Sequence, residues 1–313
     1  MKVLVAGGAG FIGFHTVQAL RAAGYLPVVV DNLSRGAYLP RPPFYRADLL
    51  SFELRVILQK ERPRAVIHLA AQADVGLSVA DPLLDARENI LASLHLLQGC
   101  AAAGTAKVVF ASSAAVYGEP KRLPIDEEHP CRPTSPYGAA KLAVEHYLKV
   151  FRTLYGMEYT ILRYANVYGP RQGLRGEGGV VAAFCGRLGE GLSVKIYGDG
   201  EQTRDFVYVG DVARANVLAL TKADGETLNI GSGEEVSINR LSRLLQERFP
   251  GSPPPAYHPP RPGDLRRSAL DPSRARRLLG WSPQVPLGEG LGETARFYQD
   301  FQWRLQGGGR RSN

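Results

Sequence analysis

Short apolar runs alternate with segments of helical spacing through the first half of the chain. Lys2–Ala6 is an apolar run of strand length, Phe11–Ala23 repeats its apolar positions at helical spacing, and Leu26–Val30 is a second run ending in Asp31. Together they predict a βαβ unit. Further runs at Ala65–Leu69, Lys107–Ala111 and Tyr159–Arg163 are separated by helix-like segments near Phe52–Lys60, Pro82–Ala103 and Tyr137–Tyr155. Such alternation predicts an α/β fold in which a parallel sheet is covered by helices on both faces.

The texture changes after about Asn166. Gly- and Pro-rich breaks fall at Gly173–Gly179, Gly198–Gly200 and Pro250–Pro262, which predicts a smaller, loop-rich lobe. The expected organisation is a first domain over 1–165 and a second lobe over 166–305, some of whose segments return to the first. The ending, 306–313, with Gly307-Gly308-Gly309 and Arg310-Arg311, reads as a frayed tail.

With 313 residues, 44% of them hydrophobic, the chain can bury a sizeable core. A long charge-free stretch, Asn89–Ala106, is interrupted by Ser93, His95 and Gln98, so no membrane partner is expected. The amino terminus enters a strand-like run at once and leaves no room for a signal peptide, so a cytoplasmic protein is expected. Cys100, Cys131 and Cys185 show neither CxxC pairing nor metal-ligand spacing and read as reduced thiols, with no metal expected. A formal charge of +8 favours an anionic partner. The arginines are dispersed and not interleaved with aromatics, so a small phosphorylated substrate fits better than nucleic acid.

Gly7-Gly8-Ala9-Gly10-Phe11-Ile12-Gly13 follows the first run directly and opens the first helix. Gly7, Gly10 and Gly13 allow a tight turn, close approach of a pyrophosphate and helix–sheet packing, while the helix start supplies amide donors. Asp31, at the end of the second run, would accept hydrogen bonds from ribose hydroxyls and repel a 2′-phosphate, which favours NAD over NADP. Arg35 pulls the other way, since a nearby arginine can hold that phosphate.

Tyr137-Gly138-Ala139-Ala140-Lys141 places a phenol and an ammonium four residues apart, on one face of a helix. A phenol, with a pKa near ~10, is a poor base at neutral pH, but a lysine cation and a positive nicotinamide nearby would favour the phenolate. Ser113, at the end of the run Val108–Ser113, could hydrogen-bond the same substrate oxygen.

The glycine turn, Ser112-Ser113-Ala114-Ala115-Val116-Tyr117-Gly118 and the Tyr137/Lys141 pair together resemble the extended short-chain dehydrogenase/reductase family. Asp31-Asn32-Leu33-Ser34-Arg35-Gly36, His68-Leu69-Ala70-Ala71-Gln72, Arg204-Asp205-Phe206-Val207 and Arg261-Pro262-Gly263-Asp264 are similar to its UDP-hexose 4-epimerases, from Met1 to about Tyr298. The resemblance implies a Rossmann-type doubly wound parallel sheet with a smaller α/β substrate-binding lobe. It also implies NAD-dependent 4-epimerisation of a UDP-hexose through a transient 4-keto sugar, and a homodimer formed by the helices near Pro82–Ala103 and Tyr137–Tyr155.

Carried over by position, the resemblance implies that Gly7, Gly10, Phe11, Ile12, Gly13, Asp31, Asn32, Ser34 and Arg35 hold the adenosine half of NAD, with Asp48 and Leu49 beside the adenine. Leu69, Ala70 and Ala71 would line the cleft, Asn89 and Tyr164 would touch the cofactor, and Lys141 would bind the nicotinamide ribose. Ser113, Tyr137 and Lys141 would be catalytic. Asn166, Arg204 and Arg261 would hold the diphosphate, Asp264 the uridine ribose, and Lys195 and Tyr197 would complete the UDP-sugar site.

Family dehydratases carry an Asp-Glu pair directly after the residue matching Ser113, and decarboxylases a Glu at the second of those positions. Ala114 and Ala115 stand there in this chain, and alanine offers neither acid nor base for elimination. Ala73 replaces a lysine that some epimerases place near the cofactor. Ser268 falls where epimerases restricted to non-acetylated sugars carry tyrosine, which leaves room for an N-acetyl group at C2. The same residues would serve a 4-epimerase of UDP-glucuronate or another nucleotide sugar, and a non-catalytic NAD-binding regulator is a reading from a different class.

Overall fold

The first apolar run forms strand β1 (Lys2–Ala6), and helix α1 (Phe11–Ala22) returns the chain to β2 (Leu26–Asp31), which lies parallel to β1 with Val5 opposite Val29. The protein is described by a computed structural model covering residues 1–34, 43–173, 179–261 and 264–305. After β3 (Phe44–Arg46) come α2 (Glu53–Glu61), β4 (Ala65–His68), α3 (Val75–Ala80), α4 (Pro82–Ala86), α5 (Ala92–Ala102), β5 (Lys107–Ser113), α6 (Pro136–Tyr155) and β6 (Glu158–Tyr164). The helix expected over Pro82–Ala103 is therefore divided, with a π-helical turn at Arg87–Leu91 joining α4 to α5.

Beyond residue 165 the chain forms β7 (Asn166–Tyr168), α7 (Val180–Gly189), β8 (Lys195–Tyr197), β9 (Thr203–Arg204), β10 (Phe206–Tyr208), α8 (Val209–Ala219) and β11 (Glu226–Ile230). It ends with β12 (Val236–Ser237), α9 (Ile238–Gln246), β13 (Ala256–His258), α10 (Ser273–Leu279) and α11 (Leu287–Leu305).

Seven parallel strands form the central sheet in the order β3-β2-β1-β4-β5-β6-β11. Strand order reverses between β1 and β4, so their carboxyl ends open a crevice of the Rossmann type. Strand β11 comes from the second half of the chain, as does α8, which packs on α1. One apolar cluster joins Val3, Val5 and Ile67 to Val212, Leu228, Ile230 and the fully buried Trp281. A second fills the opposite face between the sheet and α2, α5 and α6, and a third holds α7, α9 and α11 together in the smaller lobe. Among the described residues no helix is long and apolar enough to cross a membrane.

Candidate functional site

The glycine turn sits at the carboxyl end of β1, and at Gly7 and Gly13 its geometry leaves no space for a side chain. Gly7 has φ +80°, donates its N–H to Val30 O at 2.9 Å, and a Cβ there would lie 2.5 Å from Ala70 N. A Cβ on Gly13 would collide with Gly7 O and with Gly8. Helix α1 starts at Gly10 without a side-chain cap, so its leading amides are free to face an anion. In front of them opens a cleft walled by this turn, the ends of β2 and β4, and α6. A cradle that a single Cβ would close, at a helix start, suits the pyrophosphate of a dinucleotide.

At one end of the cleft the acids are organised by short hydrogen bonds. Asp31 accepts from Ala9 N at 3.0 Å and Leu33 N at 2.8 Å, which ties the end of β2 to the glycine turn. Asp48 accepts from Leu50 N and from Asn32 Nδ2, both at 2.8 Å, while Asn32 Oδ1 receives Ser34 N. Asp31, Asn32, Ser34, Asp48 and Leu49 all line the cleft, as do Gly10, Phe11 and Ile12. Arg35 lies outside the described residues.

Leu69, Ala70, Ala71 and Tyr164 form the middle of the wall, with Tyr137 and Lys141 at its far end. Helix α6 begins where it does because Ser135 caps it, accepting from Gly138 N at 3.1 Å, with Pro136 in the first turn. Gly138 fits directly against Ala115 O, which seats this first turn on the segment after β5. Lys141 is buried, donates to Ala111 O at 2.9 Å, and its Nζ lies 5.7 Å from the centre of the Tyr137 ring. Tyr164 spends its hydroxyl on Asn216 Oδ1 at 2.6 Å. Ser113 is half-buried beside the wall, its Oγ 3.2 Å from Ala115 N. Its neighbour Ser112 lines the cleft and donates to Glu145 Oε1 at 2.5 Å.

Asn89 does not line the cleft. It is buried behind it, accepting from Gln72 N at 3.0 Å and donating to Gln72 O at 2.9 Å and Asp85 Oδ1 at 2.8 Å. Its amide hydrogens and oxygen thereby fix the loop after β4. Burial raises the Asp85 carboxyl above its ordinary pKa. His68, in the same layer, is held down to about 3 by burial and then by the Lys141 charge. Ser93 gives its hydroxyl proton to Asn89 O, so His68 Nε2 donates to Ser93 Oγ at 2.8 Å and Nδ1 is left bare.

The residues expected at the substrate fall in two contacting groups outside this wall. Arg204 gives Nη1 to Thr203 O and Leu265 O, each at 2.8 Å, and Nη2 to Asp264 Oδ1 at 3.2 Å; burial lowers its pKa. Arg204 and Asp264 thus meet each other. Arg261 lies over the Tyr197 ring at 3.8 Å and lowers the pKa of that phenol. Lys195, on the same short strand, and Asn166, on β7, are exposed, whereas Ser268 is buried. Asp205 anchors this region from beneath, accepting from Ser232 N, Gly233 N and Leu270 N.

Sequence reasoning missed Val30, Ala47, Glu88, Ala92, Ala111 and Ser112 in the wall, and it gave no cleft contact to Ala73, which the wall contains. Glu88 directly precedes Asn89 on the π turn, but nothing in the sequence says which of the two faces the cleft.

Residues 3–231 match the model of the NAD-dependent epimerase/dehydratase family. The chain is 43% identical to the UDP-glucose 4-epimerase of Mycolicibacterium smegmatis over 310 residues, 96% of this chain and 99% of that protein. The crystal structure of the Thermotoga maritima UDP-glucose 4-epimerase with UDP-glucose superposes with a TM-score of 0.94 at 47% identity, covering 96% of this chain and 99% of that one. The Thermus thermophilus UDP-glucose 4-epimerase in complex with NAD gives 0.90 at 44% identity, again over 96% and 99%.

Proposed function

The chain belongs to the NAD-dependent epimerase/dehydratase family, and from that premise we propose that it interconverts UDP-galactose and UDP-glucose by inversion at C4 of the hexose. The observation that carries this reading is the pairing of Lys141 with Tyr137 at the far end of a dinucleotide cradle, 5.7 Å from Nζ to ring centre. Family membership alone would also admit dehydratases. Ala114 and Ala115 supply no acid or base for elimination, which favours epimerisation.

When bound, NAD supplies the two-electron acceptor that takes hydrogen from sugar C4 and later returns it to the opposite face. Tyr137 accepts the proton of the 4-hydroxyl and gives it back, and its place in the first turn of α6 adds a partial positive charge to that of Lys141. Ser113 hydrogen-bonds the same oxygen. The glycine turn, Asp31 and Lys141 hold the cofactor, and Asn166, Lys195, Tyr197, Arg204, Arg261 and Asp264 hold the UDP moiety. Firm anchoring at the nucleotide leaves the hexose free to present either face. Ser268 ends in a small side chain, so we extend the substrate range to N-acetylated UDP-hexoses.

On this reading residues 1–165 are mainly the cofactor domain and 166–305 mainly the sugar-nucleotide lobe. Leu83, Leu91, Val150 and Leu154, all exposed on the α4–α6 side, support a two-fold homodimer, and the three free cysteines agree with a cytoplasmic enzyme. The experiment is to incubate purified protein with UDP-galactose, without added NAD, and to measure UDP-glucose. Product is expected from wild type and not from Tyr137→Phe; equal turnover by both would refute the assignment.

A further inference from the structure

The described residues lining the cofactor cleft carry three carboxylates, Asp31, Asp48 and Glu88, against one ammonium, Lys141. Asp31 and Asp48 already accept two hydrogen bonds each, and Lys141 lies beside Tyr137 at the far end. The Glu88 side chain makes no hydrogen bond or ion pair with any described residue. It sits on the π turn, and its neighbours along the wall, Ala71, Ala73 and Ala92, all stop at Cβ. The longest side chain among these described residues is therefore a carboxylate, in a cleft whose glycine turn is shaped for a dianionic pyrophosphate.

We infer that Glu88 sets how loosely the protein holds NAD, by repelling the pyrophosphate. The inference rests on the NAD-dependent reading above. Burial of a dinucleotide removes water from between the charges and strengthens the repulsion, so its effect falls mainly on dissociation. The carboxylate also selects against cofactors carrying additional phosphate. Removing one such charge from a partly solvated cleft changes affinity for a dianion by about three- to tenfold, and screening by salt reduces the effect.

The test compares wild type with Glu88→Gln, which keeps shape and removes charge, and Glu88→Lys, which reverses it. Release of bound NAD is followed by exchange against excess isotope-labelled NAD, and the affinities of ADP-ribose and adenosine are measured by competition at low and high salt. The glutamine variant is expected to release NAD about three- to tenfold more slowly at low salt and to bind ADP-ribose tighter by a similar factor. The lysine variant should go further, adenosine should bind all three proteins alike, and the differences should shrink in 1 M salt (about 3 Å screening length). Unchanged ADP-ribose affinity, or an equal shift for uncharged adenosine, would overturn the inference. Wild-type protein that binds neither NAD nor ADP-ribose would overturn the cofactor assignment beneath it.

Discussion

The Lys141 ammonium stands one helical turn beyond Tyr137, 5.7 Å from the centre of its ring, and is fixed there by a 2.9 Å hydrogen bond to Ala111 O on β5. A buried cation so placed favours the phenolate, and its removal makes proton abstraction harder at neutral pH. Lys141→Met is expected to lower kcat by about 10²-fold or more, the lower range for general acid–base groups. Its pH–rate profile should be displaced to higher pH, because the phenolate then forms without cationic help. A full-strength enzyme with an unmoved profile would mean that the pair is only structural.

A buried ion pair behind the same helix fixes its position. Glu145 receives Arg163 Nε at 2.9 Å, Arg163 Nη2 at 2.6 Å and Ser112 Oγ at 2.5 Å, and Arg163 Nη1 reaches Tyr117 OH at 3.0 Å. Both side chains are almost fully buried. Glu145→Ala leaves a guanidinium uncompensated and is expected to cost about 3–5 kcal/mol in urea unfolding, whereas Glu145→Leu with Arg163→Met should recover most of the loss. A single-variant cost below about 1 kcal/mol would show that the pair is not held as described.

His68 makes stability depend on pH with a definite sign. Its folded pKa, about 3, lies below the ordinary 6.5, so the unfolded chain binds the proton that the folded one rejects. Its contribution is complete above pH 6.5 and is lost as pH falls towards 3, by about 2 kcal/mol between pH 7 and pH 5. His68→Gln, which carries no such proton, should flatten urea-unfolding stability over that interval relative to wild type. Parallel curves for the two proteins would contradict the buried neutral imidazole.

The apolar runs and helical spacings up to Tyr155 were legible because strands buried on both faces and amphipathic helices leave strong periodicities. Strand β11 was not. Its Glu226-Thr227-Leu228-Asn229-Ile230 run includes Asn229, fully buried because Tyr117 OH reaches its Oδ1 at 2.7 Å, and a single sequence does not show so distant a partner. Strand β3 is only three residues long. At the site, glycine turn chemistry and the Tyr137/Lys141 spacing are local and could be read directly. Asn89 against Glu88 is a choice of which neighbour lines the cleft. It depends on the π turn, which only the assembled fold supplies.

Ser268 gives a prediction about sugar selectivity. Its small buried side chain follows the segment whose Leu265 O holds Arg204. Ser268→Tyr should lower kcat/KM for N-acetylated UDP-hexoses by about tenfold or more relative to UDP-galactose, the scale on which a pocket discriminates by bulk. An unchanged ratio between the two substrates would remove Ser268 from the sugar pocket.

In the proposed cycle the hydrogen removed from C4 is the hydrogen restored there. UDP-galactose deuterated at C4 and converted in ordinary water, with no NAD added, reads this directly by mass spectrometry and NMR of the product. UDP-glucose that retains deuterium at C4 is the predicted result. Deuterium lost to solvent, or conversion that requires a second reductant, would contradict it.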